Sequence, residues 1–242
     1  MAITKVANTG KPSATTTDAI DTTGATLLII GTHTWVSAAT GASDNKGNTW
    51  HALTASGDAN CGYARIFYAY DHGGSALVVG SGHTFTITGG GAQTITAAAF
   101  AGTDITSAVY ERENGGLNAS IAQVVACGSV TPDAINELIL ALYSDGYSTN
   151  ADLTINSSLT LLSMPHDGAN MAGGMAYYVD PNTNPINPIW TSPAPDHYAA
   201  AAIAVFKAAA GGPSPIGPAG AIVSAEDVDG AAMMRGTIQS EV

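Results

Sequence analysis

Every apolar run in this chain is short and closes on a turn residue. The longest, Tyr198–Phe206, stops at Lys207. A membrane-spanning helix needs about 18 or more consecutive apolar residues, so none of these runs crosses a bilayer as a helix. They suit strands instead. Leu27-Leu28-Ile29-Ile30 has the continuous apolar character of a strand buried on both faces. Thr84-Phe85-Thr86-Ile87-Thr88 alternates with period two, like a strand with one wet face. Asp44-Asn45-Lys46-Gly47-Asn48, His72-Gly73-Gly74 and Gly89-Gly90-Gly91 break the chain between such runs. Glycine contributes 28 of 242 residues, while charged residues make up only 11%. Ordinary domains carry about 7% glycine and about 25% charge. That balance favours strands and turns over a charged helical bundle.

The strand candidates of the first half are Thr26–Ile30, Thr49–Leu53, Ala64–Tyr70, Thr84–Thr88 and Thr94–Ala101. Leu138–Leu142, Leu159–Ser163, Ala176–Asp180, Ile189–Thr191 and Tyr198–Phe206 repeat the order. Residues 16–102 and 129–208 thus read as two copies of one five-strand plan. One local conflict arises at Thr131-Pro132-Asp133, a capping Thr with Pro at the first helical position. The parallel with the first half favours a short turn and then a strand. The expected fold is all-β: an antiparallel, jelly-roll-like β-sandwich of about ten strands, readable as an internal duplication, with extended N- and C-terminal arms. One sandwich is preferred to two small domains, because each half alone would have a thin core.

The expected boundaries are an arm or edge strand over 1–24, the sandwich over 25–208, a Gly/Pro linker over 209–220 and a docking tail over 221–242. Gly211-Gly212-Pro213-Ser214-Pro215 is incompatible with helix or inner strand. Ser224-Ala225-Glu226-Asp227 reads as a helix start, and a short helix beyond such a linker needs a partner to be stable. Its apolar side chains Ile222, Val223, Val228, Met233, Met234 and Ile238 are the candidate partner contacts. Tyr110–Ser120 reads as the loop between halves, with Glu111-Arg112-Glu113-Asn114 facing solvent.

Net charge is −12 with only 7 Lys and Arg, scattered along the chain. That argues against nucleic acid and anionic membranes as partners. Met1-Ala2-Ile3-Thr4-Lys5 lacks the apolar stretch of a signal peptide, so synthesis in a cytoplasm without general export is expected. Cys61 and Cys127 read as two buried thiols rather than a bridge. The 6 histidines lack metal-ligand spacing. No Gly-x-Ser-x-Gly elbow occurs, and Gly80-Ser81-Gly82-His83 reads as a glycine turn. A glycosidase would need two carboxylates across a cleft, and spacing does not place Glu111, Glu113, Asp133 and Glu137 opposite one another. Asp44, Asn45 and Asn48 offer calcium-type oxygens without EF-hand spacing, so an ordinary Asn/Gly turn is favoured. No catalytic, cofactor-binding or metal residue is assigned. Of the aromatics, Trp50, Tyr68, Tyr70, Tyr177, Tyr178 and Trp190 lie within strands and read as core. Trp35 and Tyr147 lie outside the clearest strands and are the candidate glycan contacts.

The run Ser43-Asp44-Asn45-Lys46-Gly47-Asn48-Thr49-Trp50, followed by Ala64-Arg65-Ile66-Phe67-Tyr68-Ala69 and Thr84–Thr88, resembles β-sandwich modules of tailed-phage virion proteins and bacterial surface proteins. The resemblance covers about residues 20–208 and carries no catalytic residues. It implies a non-enzymatic virion structural protein, made in the host cytoplasm. A capsid decoration protein attached through its terminal arms is the first expectation. A tail-associated or fibre-like adhesin and a carbohydrate-binding module are the alternatives, and a glycan hydrolase is a third class. The partners implied are capsid or tail subunits, further copies of the chain in a homo-oligomer, and a host-surface glycan.

Overall fold

A computed structural model describes residues 2–72, 76–91, 93–118, 123–146, 152–166, 171–193 and 198–210. The expected tail and all but the start of the linker lie outside these residues. The first half contributes strands β1 (Thr4–Lys11), β2 (Leu27–Thr34), β3 (Gly41–Asp44), β4 (His51–Ala52), β5 (Ser56–Asp58), β6 (Gly62–Tyr70), β7 (Phe85–Thr88) and β8 (Gln93–Ala101). The second half contributes β9 (Tyr110–Asn118), β10 (Val124–Ala126), β11 (Glu137–Asp145), β12 (Thr154–Ile155), β13 (Thr160–Ser163), β14 (Ala172–Asp180), β15 (Ile189–Thr191) and β16 (Ala199–Phe206). No helix occurs among the described residues. After Thr131-Pro132-Asp133 the chain turns and enters β11.

One large sheet runs β1-β8-β2-β6-β4, with β5 also on β6; the other runs β13-β14-β11-β16-β9. In each, the first strand of the half lies beside its last. Two small sheets, β3-β7 and β10-β15-β12, complete the set. All these strand pairings are antiparallel. The large sheets pack face to face, with β2 against β11, β8 against β14, β6 against β16 and β1 against β13. The order of one half therefore runs opposite to that of the other, in a two-fold sense centred on β2 and β11.

Alternate residues divide between cores, as the strand period requires. Leu27 and Ile29 of β2, Ile66 and Tyr68 of β6, Leu138, Leu140 and Leu142 of β11 and Phe206 of β16 fill the core between the large sheets. Leu28, Ile30, Phe67, Ala97 and Ala99 turn the other way, onto Phe85 and Ile87 of β7. Ile139, Ala141, Ile203 and Val205 turn onto Val125 of β10 and Trp190 of β15. β2, β11 and β16 are therefore buried along their whole length. This is why they read as continuous apolar runs, whereas Phe85-Thr86-Ile87-Thr88 alternates in burial as its period predicts.

Two elements depart from the sequence reading. Tyr110–Asn118 is not a loop but the edge strand β9, paired along β16. Glu111 within it has a side chain only 3% exposed, so it does not face solvent. An edge strand gains its hydrogen bonds from one neighbour and tolerates charge and glycine, which hides it from an apolar-run criterion. Of Thr49–Leu53, only His51–Ala52 is strand.

Close approach of the large sheets depends on glycine at two places. A Cβ on Gly31 would stand 2.4 Å from Thr96 Oγ1 and 2.6 Å from Leu142 Cδ2. A Cβ on Gly173 would stand 2.4 Å from two ring carbons of His33. Each sheet thus offers a hole for a side chain of the other. Overpacking a filled core costs about 1–3 kcal/mol. Gly31→Val is accordingly expected to destabilise the fold by about that amount, lowering Tm by about 2–4 °C per kcal/mol, which thermal unfolding followed by circular dichroism checks.

Candidate functional site

Most polar clusters singled out in the sequence are spent on the fold. The Asp44 carboxylate accepts hydrogen bonds from the Lys46 and Asn48 amides, from Asn48 Nδ2 and from Trp50 Nε1. It holds its own turn in the manner of an Asx motif. His83 lies at the end of the glycine turn, stacked on Phe85 with 4.4 Å between ring centroids. Its Nδ1 is 2.8 Å from Thr22 Oγ1 and its Nε2 is 3.6 Å from Asp44 Oδ2. The order Thr-His-Asp has the form of a nucleophile relay. Yet Thr22 and His83 are 0% exposed, and the Thr22 hydroxyl is occupied by both the amide and the carbonyl of Gly80. A substrate has no approach to that hydroxyl. Burial holds the His83 pKa below its ordinary value, so the ring is neutral at pH 7.

The carboxylates do not flank a cleft. Glu137, at the start of β11, is 2% exposed and meets Glu111 of β9. Glu111 Oε1 accepts from Arg112 Nε at 2.8 Å and from the Asp133 amide at 3.0 Å. Arg112 also pairs with Asp133. The Oε2 atoms of Glu111 and Glu137 are both buried without a hydrogen-bond partner. Burial, and then Glu111, push the Glu137 carboxyl up to about 8. Glu137 therefore keeps its proton at pH 7, beside a Glu111 carboxyl held by a guanidinium and an amide. Cys61 and Cys127 are both free and buried. Burial pushes each thiol up to about 12. Trp35 is half-buried, donates its indole N–H to the Ala59 carbonyl at 2.9 Å and lies against Gly146. Tyr147 and the six tail residues named from sequence lie outside the described residues.

An accessible chemical surface lies elsewhere, at the open margin of the central core. His51 stands opposite Tyr68 in the β4–β6 register, which puts both side chains on one face. Tyr70 and His72 follow Tyr68 at every second residue, again on that face. The rings form a continuous track. His51 stacks on Tyr68 at 5.1 Å and meets Tyr70 at 5.6 Å; Tyr70 meets His72 at 5.4 Å; Tyr68 stacks on Tyr110 of β9 at 5.9 Å. Tyr68 is anchored in the core by an edge contact to Phe206 at 5.5 Å. Exposure grows outward, from buried Tyr68 through half-buried Tyr70 and Tyr110 to exposed His51 and His72.

Two concave spaces lie beside these strands, and rings of the track line one of them. One, of about 390 Å³, is lined by Asn48, His51, Tyr70, His72 and Leu77 among others. The other, of about 330 Å³, lies between Thr54–Ser56 and Glu113–Gly115. Glu113 accepts hydrogen bonds there from the Thr54 amide and hydroxyl. Burial pushes the Tyr68 phenol up to about 12, with Tyr70, Tyr110 and Glu113 adding to the rise. Burial and then Glu113 raise Tyr110 as well. The surface offers flat aromatic faces, phenol hydroxyls and imidazole nitrogens, which suits stacking with edge hydrogen bonds. Among the described residues no group of three or more His, Cys, Asp or Glu side chains could hold a metal ion.

The reading of strand aromatics as core missed this track. A signal was present: Tyr68-Ala69-Tyr70-Asp71-His72 places three rings on one strand face beside a polar turn. No known protein family, curated protein or solved structure matches the chain.

Two predictions come from the buried groups. Glu137 has a folded pKa near 8 against an ordinary 4.5, so the folded chain holds a proton that the unfolded chain releases. Wild-type stability is therefore expected to fall as pH rises from 4.5 through 8. Glu137→Gln removes that fall and gains about 1–3 kcal/mol over wild type at pH 8–9. His33, lowered by burial to about 4 from 6.5, gives an opposite loss as pH falls from 6.5 to 4, which the variant keeps. Thermal unfolding across this range checks both limbs. Reactivity follows the thiolate, so neither cysteine is expected to react with a thiol reagent at pH 8 in the native chain, and both after denaturation.

Proposed function

We propose that this chain is a non-enzymatic virion structural protein, a decoration protein of a tailed-phage capsid attached through its C-terminal arm, since Thr4–Lys11 is built into the large sheet as β1. A tail-associated or fibre-like adhesin is the alternative within the same class. The observation that carries the reading is a stack of β-sheets whose central strands are buried on both faces. Such a block is a rigid spacer. The sequence beyond Ala210 opens with glycine and proline and carries the apolar residues Ile222, Val223, Val228, Met233, Met234 and Ile238, suited to docking. The acidic chain, at −12, fits protein partners better than nucleic acid. Many weak contacts from repeated copies would supply attachment through avidity.

The jelly-roll-like description and an origin by internal duplication belong to the same proposal. The strand orders of the two large sheets support the duplication, because each half sets its first strand beside its last.

The test compares the full chain with one ended at Ala210, by light scattering and by co-sedimentation with purified particles from the source. The full chain is expected to sediment with particles. The shortened chain is expected to keep its β-sheet circular dichroism and stay in the supernatant. Full chains that remain monomeric and ignore particles would overturn the proposal.

A further inference from the structure

We infer that the aromatic track His51–Tyr68–Tyr70–His72 with Tyr110 is a binding site for a neutral oligosaccharide, whose sugar rings stack along it. The inference does not depend on a virion role. It rests on ring geometry, on the space lined by His51, Tyr70 and His72 and on the polar groups at its rim.

The apolar face of a pyranose packs on an aromatic ring, and its hydroxyls need partners at the ring edge that both donate and accept. Tyr70, Tyr110, His51 and His72 supply such edges. Their polar atoms carry no hydrogen bond to another described residue. Successive ring contacts of 5.1–5.9 Å hold the rings in one continuous row along the margin of β4, β6 and β9, with Tyr70, Tyr110, His51 and His72 reaching solvent. A chain of stacked sugars matches a track better than a single pocket does. The space lined by His51, Tyr70 and His72, about 390 Å³, falls in the range of small-ligand sites, about 300–1,000 Å³, and gives one end of the oligosaccharide somewhere to lie.

Charge selects among ligands. Glu113 borders one space and acts on both Tyr68 and Tyr110, so an anionic glycan would meet a carboxylate there on a chain of net charge −12. A basic peptide would stack its cations on the same rings, but a run of cations calls for several carboxylates along the track, and Glu113 is the one carboxylate among the residues lining the two spaces. A neutral glycan needs no ion pair.

The full chain is titrated with cellotetraose, maltotetraose, chitotetraose, a sialylated tetrasaccharide and tetralysine, followed by aromatic-region NMR and calorimetry. At least one neutral tetrasaccharide is expected to bind saturably with Kd of about 1 mM or tighter, shifting the His51 and Tyr70 resonances. Tyr70→Ala and His51→Ala are each expected to weaken it about tenfold or more; exposed His51→Ala is expected to retain wild-type Tm within about 2 °C, and Tyr70→Ala, whose ring packs partly on the core, to keep the β-sheet circular dichroism of the folded chain. Tyr70→Phe, which keeps the stacking face, is expected to retain most of the affinity. Absence of saturable binding across the neutral sugars at about 10 mM would overturn the inference. So would preference for the sialylated sugar or for tetralysine, or binding that survives both alanine variants and is lost in Trp35→Phe.

Discussion

Burial of both faces of both large sheets is the constraint on which the rest of this structure depends. An antiparallel sheet usually keeps one face in water and reads as alternating apolar and polar residues. Here β2, β11 and β16 have no wet face. Each large sheet touches its twin on one side and a small sheet on the other. The central strands must then be apolar at every position and slim wherever layers come close. That explains the alanines of β8 and β16, residues otherwise disfavoured in strands. Ala97, Ala99, Ala200 and Ala202 let neighbouring layers approach, and Gly31 and Gly173 go further, admitting Leu142 and His33 from the facing sheet.

The small sheets could not stand alone; β3-β7 is a two-stranded ribbon and such ribbons are marginal in water. Side chains that reach across layers fix them. Arg65 of β6 donates to the carbonyls of Leu53 and Ala39 at 2.8 Å each and lies over the Phe67 ring. The Asp44 turn ties β3 to Trp50, whose ring meets Phe85 of β7 edge-on at 6.0 Å. These polar groups sit where catalytic or metal sites are sought in a sequence. Their hydrogen-bonding capacity is consumed in closing loops, which is why the Asp44 turn and His83 carry no visible chemistry.

Much of the architecture was legible because burial on both faces leaves a strong mark: Leu27–Ile30, Leu138–Leu142 and Tyr198–Phe206 admit few readings besides inner strands. Less legible were the edges. Glu111-Arg112-Glu113-Asn114-Gly115-Gly116 resembles a loop because an edge strand has neighbours on one side only, and its residues answer to solvent as much as to the core. Pairing to β16 is a property of the whole sheet, absent from any local window. The Glu111–Glu137 contact was invisible for the same reason: it joins two strands 26 positions apart (137 − 111) through a third, β16, that lies between them in the sheet.

The aromatic track shows why a strand aromatic need not be core. Tyr68 packs on Phe206 and closes the central core, as a strand tyrosine should. The core ends there, but the strand continues. Tyr70 and His72 repeat the same face past the last covering residue, and β4 adds His51 alongside. The inner rings are held by packing and the outer ones lean on them, so the track is preorganised. A ligand that stacks on it loses little to side-chain ordering, the main penalty a flexible surface would impose. The rigidity of the stack thus also suits its margin to recognition, because burial of β6 on both faces over Ile66–Ala69 holds the inner ring of the track in place.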